Sequence, residues 1–256
     1  MLKHVKRASL LLFFGVSAWP AYGDGIIEVN DSDWPPYFFA GDKSKPEGFG
    51  KELLKHCFQK TGVRASFRHV GIKRAIKELE DGTLDLNVYS HDALREKFLI
   101  FGDAPLFKAD YRPFVRSDSK VKISKTKDFD TLRLGNLAGL SYTPEFSAYL
   151  AAREKRGDVT TVNDPELPIQ MLVSGKIDAF VNTVPTVLWE AKELGLGGKI
   201  RALDFVIKAR SYHVAVARKS FRIKNSKVFI DTLDQCLNAT TGTSFYKAIS
   251  AKYLEP

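Results

Sequence analysis

Strand-like and helix-like segments alternate along almost the whole chain, and this order constrains the fold more than any other feature of the sequence. Residues 26–29 have a short apolar strand pattern, and the apolar positions of residues 49–58 fall on one helical face that ends before Gly62. Residues 63–69 then alternate as a strand, and residues 72–79 carry apolar side chains at helical spacing. The repeated unit predicts an α/β fold with helices on both faces of a sheet.

The middle and the end of the chain repeat this order without a low-complexity linker. Further strands are predicted at residues 84–88, 132–134, 159–162, 177–181 and 214–217. Further helices are predicted at residues 165–174, 184–194, 229–237 and 245–253, and another is predicted to begin near Pro144. Two α/β lobes joined by short crossovers near residues 108–111 and 209–213 fit this order. The C-terminal helices are expected to return to the first lobe.

The first 23 residues have the layout of a secretory signal peptide. Lys3, Lys6 and Arg7 precede an apolar run at residues 10–16, and Ala21-Tyr22-Gly23 offers small residues where a signal peptidase reads them. We expect cleavage before Asp24 and, because no cysteine lies near that point, a product without a lipid anchor. Loss of these three cations lowers the formal net charge from +9 to +6. The other cations are scattered, so no nucleic-acid partner is expected.

Cys57 and Cys236 are the only cysteines of the chain, and neither they nor the five histidines have the spacing of a metal site. We therefore expect no metal and no other cofactor. Two thiols in an oxidising compartment could form a disulfide, but two inert buried thiols fit the sequence equally well.

Seven short motifs, taken in order, resemble those of the family 3 periplasmic solute-binding proteins, the amino-acid-binding type. They are Asp31-Ser32-Asp33-Trp34-Pro35-Pro36-Tyr37, Gly48-Phe49-Gly50, Gly82-Thr83-Leu84-Asp85, Ser90-His91-Asp92-Ala93-Leu94-Arg95, Phe101-Gly102-Asp103-Ala104-Pro105, Ser174-Gly175-Lys176-Ile177-Asp178-Ala179, and the closing stretch from Thr241-Gly242-Thr243 to Tyr253. Together they cover residues 26–254. Residues 72–75 and 139–146 also resemble a divergent proteobacterial branch, whose members often lack an obvious dedicated transport partner.

The resemblance implies the two-lobed periplasmic-binding-protein fold of type II, with a ligand cleft between the lobes. Residues 24–108 and 211–256 would form lobe 1, and residues 109–210 would form lobe 2. It further implies a monomer in the periplasm.

The same resemblance implies three ligand-binding residues around a carboxylate. Arg95 matches the arginine that grips the ligand α-carboxylate, a role that suits a two-pronged guanidinium. The alternative for Arg95 is a solvated residue at a helix start. Ser90 matches the small polar residue before that arginine, and Ser141 matches a hydroxyl residue just before the helix at Pro144, where a helix N-terminus favours an anion. Both serines could instead be ordinary loop or capping residues.

Two further positions lie near the start of the chain. Trp34 matches an aromatic wall of the family's pocket, although core packing is a competing role. Asp31 matches a position that can touch the ligand side chain, or it shapes the turn.

The sequence departs from the family's pattern at Thr183, where the family commonly has an aspartate that pairs with the ligand ammonium. A neutral hydroxyl cannot offset a buried ammonium as a carboxylate does. Either Glu145 substitutes for the missing charge, or the ligand lacks a conventionally bound amine.

We therefore expect a binding protein, not an enzyme, that closes on a small carboxylated solute, an amino acid or a related organic acid. Its protein partner would be an ABC permease for uptake or a membrane sensor. The alternative is a periplasmic enzyme on the same scaffold, resembling cyclohexadienyl dehydratases, with Glu145 as the general acid. No Ser/His/Asp or metal constellation in the sequence supports that alternative.

Overall fold

The structure is a computed structural model that describes residues 25–41, 46–140 and 142–255, and it has the α/β architecture that the sequence predicts. The signal peptide predicted at residues 1–23 lies outside the described residues. The strands are β1 (Ile27–Asn30), β2 (Ala65–Arg68), β3 (Leu86–Tyr89), β4 (Leu99–Arg116), β5 (Leu134–Leu137), β6 (Val159–Val162), β7 (Ala179–Thr183), β8 (Ile200–Ala202) and β9 (Lys208–Ala217). The helices are α1 (Phe49–Thr61), α2 (Ile72–Asp81), α3 (Pro144–Glu154), α4 (Leu167–Val173), α5 (Val184–Glu193), α6 (Ser226–Thr240) and α7 (Ser244–Tyr253). None of the described helices is long and apolar enough to cross a membrane.

The strands form one sheet in the order β2-β1-β3-β9-β4-β7-β5-β6, with β8 paired to β4. Pairing is parallel at the two ends, where β1 lies beside β2 and β3 and where β5 lies beside β6 and β7. It is antiparallel in the middle, where β4 and β9 run side by side from Leu99↔Ala217 to Tyr111↔Lys208. These two long strands therefore connect the two ends of the sheet.

The buried apolar residues form four clusters that divide along the sequence. Two clusters draw their buried members from residues 27–107 and 214–253. The other two draw theirs from residues 111–203. The chain therefore has separate cores on either side of the stretch where β4 and β9 cross between them.

The long strand β4 was not predicted, because its sequence lacks a continuous strand pattern. Gly102 and Pro105 interrupt it, and its pairing with β9 shifts register between Phe101 and Pro105 and again between Pro105 and Phe107. Irregularities of this kind are set by the neighbouring strand and leave no alternation in the sequence. β9 likewise begins at Lys208, six residues before the predicted start at residue 214.

Two predicted strands start two residues later than expected, and one ion pair joins the residues that precede them. Arg133 donates to the Asp178 carboxylate through its backbone N–H (2.8 Å) and its guanidinium (2.7 Å to Oδ1). Arg133 and Asp178 each directly precede a strand, since β5 begins at Leu134 and not at residue 132, and β7 begins at Ala179 and not at residue 177.

Two of the four positions predicted for the apolar face of the second helix are buried, and Ile76 is only half-buried. Ala75 and Leu79 are fully buried, whereas Ile72 is 76% exposed because it begins α2 outside the core cluster. Gly82 ends this helix with φ of 84°, and a Cβ at that position would overlap the carbonyl oxygen of Lys219. Glycine is therefore required there.

The two C-terminal helices return to the first part of the chain, as predicted. Cys57 on α1 and Cys236 on α6 form a disulfide with a Cα–Cα distance of 5.7 Å. The Lys252 ammonium of α7 lies 2.7 Å from the Glu52 carboxylate of α1. The sequence left two possibilities open for the cysteines, a disulfide or two buried thiols, and the structure contains the disulfide.

Candidate functional site

A groove of about 520 Å³ opens where β9 leaves one half of the sheet for the other. Its residues come from the end of β3, from the start of α3 and from the first part of β9. They are Ser90, His91, Thr143, Ile207, Lys208, Ala209, Arg210, Ser211 and His213. We refer to this feature as the groove.

The register of three strands places three side chains in one row beside the groove. Tyr111 of β4 is paired with Thr183 of β7 on one side and with Lys208 of β9 on the other. Directly paired residues project from the same face of a sheet, so these side chains are neighbours. Arg210 lies two residues along β9 and so projects from this face as well.

Lys208 is the most buried cation of this group, at 8% exposure, and its Nζ lies 5.2 Å from the centroid of the Tyr111 ring. Burial lowers the pKa of Lys208 to about 8, and the positive charges of Arg210 and Arg95 lower it further in the same direction. An anion bound here would relieve the repulsion among these cations.

Arg95 is half-buried in a single 3₁₀ turn (Arg95–Lys97) just after the β3 loop. Its guanidinium carbon lies 4.5 Å from the centroid of the Tyr89 ring, a cation–π contact that holds the side chain beside the end of β3. The positive charge of Arg95 lowers the pKa of Lys208 and also works to lower the pKa of Tyr212, against the larger effect of burial, which raises the pKa of Tyr212. Arg95 itself lines a separate pocket of about 820 Å³ with Asp92 and Lys97 and is not among the described residues that line the groove.

Ser90 lines the groove, as does Thr143, which the sequence analysis did not single out. The Thr143 hydroxyl accepts a 3.3 Å hydrogen bond from the Phe146 N–H and so caps the N-terminus of α3. Ser141, the predicted second hydroxyl, lies outside the described residues.

Two histidines and one arginine close the groove on its β3 side. The rings of His91 and His213 are 4.8 Å apart, and the Arg210 guanidinium donates to the His91 carbonyl oxygen at 3.3 Å. Burial, followed by the charge of His91, lowers the pKa of His213. The lowered pKa favours the neutral form of the His213 imidazole.

Trp34 lies in a cluster of aromatic rings that leads toward the groove. Its ring packs edge-on against Tyr37 (5.1 Å), Phe107 (5.4 Å) and Tyr212 (4.7 Å). Tyr212 belongs to β9 and lies between two groove residues, Ser211 and His213. The packing role considered for Trp34 is thus observed, and its role as a pocket wall stays a prediction.

Asp31 is buried and ion-paired within its own part of the chain. Its Oδ2 lies 2.8 Å from the Lys51 ammonium and accepts a 3.4 Å hydrogen bond from the Gly41 N–H. Its Oδ1 is buried with no hydrogen-bond partner among the described residues. These bonds connect Asp31 to α1 and to the loop at Gly41, and both the turn-shaping role and a ligand contact stay predictions.

Thr183 and Glu145 occupy very different environments. Thr183 is 1% exposed, and its Oγ1 is buried with no hydrogen-bond partner among the described residues. It directly precedes α5 but forms no side-chain cap. Glu145 is exposed on the first turn of α3 and is not among the described residues that line the groove.

Sequence reasoning missed Lys208 and Arg210, although a signal was present. In Lys208-Ala209-Arg210-Ser211 the basic residues alternate with small ones, which puts both cations on one face if the strand predicted from residue 214 is extended backward. Within the described part of the chain, no group of three or more His, Cys, Asp or Glu residues could hold a metal ion.

Comparison with known proteins identifies the family and the fold. The family model of the bacterial extracellular solute-binding proteins, family 3, matches residues 26–256. The comparison with curated proteins gave no match.

Solved structures of binding proteins have the same fold. The chain is 22% identical to substrate-binding domain 2 of GlnP from Lactococcus lactis in its open conformation, with a TM-score of 0.69 and coverage of 90% of this chain and 95% of that one. It is 17% identical to the probable amino-acid ABC transporter extracellular-binding protein YtmK of Bacillus subtilis, with a TM-score of 0.72 and coverage of 90% and 97%. A histidine kinase sensor domain with similarity to periplasmic binding proteins gives 22% identity, a TM-score of 0.66 and coverage of 91% and 97%. At these identities the likeness shows the two-lobed fold alone.

Proposed function

The chain belongs to the bacterial extracellular solute-binding proteins, family 3, and on this basis we propose that it binds a small carboxylated solute in the groove by closing its two lobes. The observation that carries the proposal is that Lys208 and Arg210 line a groove built from three separate elements, while the charge of Arg95, which lines a separate pocket, acts on Lys208. A guanidinium and a buried ammonium are the side chains that bind carboxylates most strongly.

The lobes of this proposal follow the division of the core. Residues 24–108 with 211–256 would move as lobe 1 and residues 109–210 as lobe 2, which is supported by the cluster boundaries between residues 107 and 111 and between residues 203 and 214. The adjacent pairs Lys108↔Ser211 and Ala109↔Arg210 are the proposed hinge.

The binding event would serve uptake through an ABC permease or the delivery of a signal to a membrane sensor, with the protein acting as a periplasmic monomer. Both roles occur among solved structures of the same fold. One is named as the probable extracellular-binding protein of an amino-acid ABC transporter, and another is named as a histidine kinase sensor domain. The chemistry of the groove is the same in both cases.

The test starts with a thermal-shift screen of the chain from residue 24 against amino acids and organic acids, because a ligand that binds only the folded state raises the melting temperature, and the rise grows with the logarithm of its concentration above Kd. The best binder is then titrated by calorimetry into the wild-type protein and into Arg95→Ala. Removal of a partner from a desolvated carboxylate is expected to cost about 2–5 kcal/mol, or roughly 30-fold or more in affinity.

Arg95→Lys is the matched variant, since it keeps the charge and loses the two-pronged geometry, and it should restore only part of the affinity. Circular dichroism of both variants provides the folding control. If Arg95→Ala loses less than about 1 kcal/mol of binding energy, as an exposed ion pair would, Arg95 does not bind the ligand carboxylate.

A further inference from the structure

The structure contains a second pocket, separate from the groove, and we propose that it docks a segment of a partner protein with acidic side chains around a large apolar one. This pocket of about 820 Å³ is lined by α2, by the connection between β3 and β4 and by the turn after β9, and its apolar lining residues are Ile76, Leu94 and Phe98. It shares no lining residue with the groove. The inference goes beyond the proposed function, because it concerns a protein partner and not the solute. We refer to this feature as the Leu94 pocket.

Hydrogen bonds join the segments that line the Leu94 pocket. The Arg218 N–H donates to the Phe98 carbonyl oxygen (2.9 Å), and the Arg218 guanidinium donates to the Glu96 carbonyl oxygen (3.0 Å). The Asp92 carboxylate accepts a 2.9 Å hydrogen bond from the Leu94 N–H. Phe98 also packs against one of the core clusters. These contacts hold the pocket in one shape, so a partner spends little of its binding energy on ordering it.

Apolar side chains at this pocket are exposed to solvent. Leu94 is 69% exposed, and Ile76 and Phe98 are half-buried. Ile72, one turn before Ile76 on the same face of α2, is 76% exposed. Single exposed apolar residues are common, but a group of them around a pocket is typical of an interaction site. A large apolar side chain of a partner would cover Leu94 and remove this surface from water.

Cations outnumber carboxylates among the residues that line the Leu94 pocket. The cations are Arg95, Lys97, Arg218 and Lys219, and the carboxylates are Glu80 and Asp92. Arg95 and Arg218 are held by neutral groups, the Tyr89 ring and the Glu96 carbonyl oxygen. These contacts position the two guanidinium groups without cancelling their charge.

Carboxylates next to the pocket have other partners. The Asp81 carboxylate accepts a 2.7 Å hydrogen bond from the Thr83 hydroxyl, and the Glu96 carboxylate lies 3.3 Å from the His91 imidazole. The pocket therefore keeps an excess of positive charge around its apolar residues. Acidic side chains of a partner are complementary to that charge.

A protein segment fits these observations better than a lipid surface or a second copy of the chain. A lipid surface is flat on this scale and would cover the exposed Leu94 without filling the pocket. A symmetric contact between two copies would bring the same cations of both copies together, which is unfavourable. An acidic segment with one large apolar side chain satisfies both the charge and the shape.

The experiment selects peptides without assuming their sequence. A phage-displayed library of random peptides of about twelve residues is first depleted on immobilised Leu94→Ser protein and then selected on the wild-type chain from residue 24. We expect the selected peptides to carry at least about two Asp or Glu residues beside a large apolar residue. The best peptide is synthesised, and its affinity is measured by calorimetry. Its version with Asn and Gln in place of Asp and Glu should bind at least about tenfold more weakly.

Two variants of the protein then test the pocket with matched controls. Lys97→Glu/Lys219→Glu reverses two charges in the pocket and should weaken the peptide by at least about tenfold. Lys120→Glu/Lys122→Glu makes the same change at exposed positions that line neither the Leu94 pocket nor the groove, and it should change the affinity by less than about twofold.

The apolar contact has its own control. Leu167→Ser removes another exposed leucine, on α4, and should leave the affinity for the peptide unchanged, whereas Leu94→Ser should abolish binding. Circular dichroism of all four variants provides the folding control.

Several outcomes would overturn the inference. It is wrong if the selected peptides are neutral or basic, if no peptide is enriched, or if the two double variants weaken the peptide equally. If vesicles of phosphatidylglycerol and phosphatidylcholine bind in a Leu94-dependent way and no peptide does, the surface docks on lipid. If sedimentation shows a dimer that Leu94→Ser dissociates, the occupant is a second copy. Solute binding is scored separately, so a bound peptide without any bound solute would count against the proposed function alone.

Discussion

The Thr186 hydroxyl donates a 2.9 Å hydrogen bond to the carbonyl oxygen of Pro35, a residue 151 positions earlier in the chain. This bond connects the first turn of α5 with the loop after β1, on opposite sides of the proposed division into lobes. The rings of Phe39 and Trp189 are 5.3 Å apart and extend the same contact. The two halves therefore meet through specific side-chain contacts as well as through β4 and β9.

Thr186→Val tests the contribution of this bond, because valine keeps the volume of the side chain and removes the donor. We expect a loss of about 1 kcal/mol in the free energy of unfolding, since the Pro35 carbonyl oxygen loses its partner in a partly buried setting. Urea denaturation provides the measurement. Thr186→Ser keeps the donor and loses only a methyl group, so a larger loss for serine than for valine would show that packing matters more than the hydrogen bond.

The Cys57–Cys236 disulfide is expected to contribute strongly to stability. It closes a loop with a sequence separation of 179 residues, for which the chain-entropy model gives up to about 5 kcal/mol. The double variant Cys57→Ala/Cys236→Ala should therefore unfold at a lower urea concentration. Its ligand affinity should change little, because neither residue lines the groove. Two free thiols in the denatured, unreduced wild-type protein would contradict the bridge.

Glu190 on α5 should make the protein less stable as the pH rises from about 4.5 to about 8. Burial, followed by the charges of Glu166 and Asp164, raises the pKa of Glu190 to about 8, and its Oε2 is buried without a hydrogen-bond partner among the described residues. Below the pKa that Glu190 has in the unfolded chain, its carboxyl group is protonated in both the folded and the unfolded state. Between the two pKa values only the unfolded state ionises, so the stability due to this group falls and is lost near pH 8.

Glu190→Gln should remove this pH dependence and raise the free energy of unfolding at pH 7 by about 2 kcal/mol. Urea denaturation at pH 5 and at pH 7.5 provides the measurement. Glu193→Gln, an exposed position on the same helix, is the matched control and should change little. Equal pH dependence in the wild-type protein and in Glu190→Gln would show that Glu190 titrates normally.

Anion binding beside Lys208 should weaken as the pH rises above about 8. A bound anion raises the pKa of Lys208 from its free value of about 8, so below that value the proton is already present and affinity is constant. At a pH between the pKa of Lys208 in the free protein and its pKa in the complex, the protein must take up a proton when it binds the anion. The titratable and charged groups around Lys208 are Tyr111, Arg210, Arg95, Tyr212, Asp110 and His213.

Calorimetry with the best-binding carboxylate of the thermal-shift screen, at pH 8.5 in two buffers of different ionisation enthalpy, measures that proton uptake. We expect uptake of up to one proton in the wild-type protein and a smaller value in Lys208→Met. The same uptake in both proteins would assign the titration to another group, and constant affinity from pH 7 to pH 9.5 would show that Lys208 does not contact the ligand.

The sequence by itself determined the elements whose signals are local. Helical spacing with a terminal glycine identified α1 and α2, and the order of strands and helices predicted the α/β class, because these patterns depend on residues within a few positions of one another. The motif order also led to Arg95 and Ser90. Ser90 lines the groove, whereas Arg95 lines a separate pocket, from which its charge acts on Lys208.

Only the tertiary structure decided the features that depend on distant pairings. The Cys57–Cys236 bridge, the bulged strand β4 and the row of Thr183, Tyr111 and Lys208 join residues that lie tens of positions or more apart. Their sequences carry no local mark of one another, since the register of neighbouring strands decides which side chains meet. For that reason the sequence showed that Thr183 lacks the negative charge common at this position in the family. Only the fold showed that the positive charge of Lys208 lies in the same row.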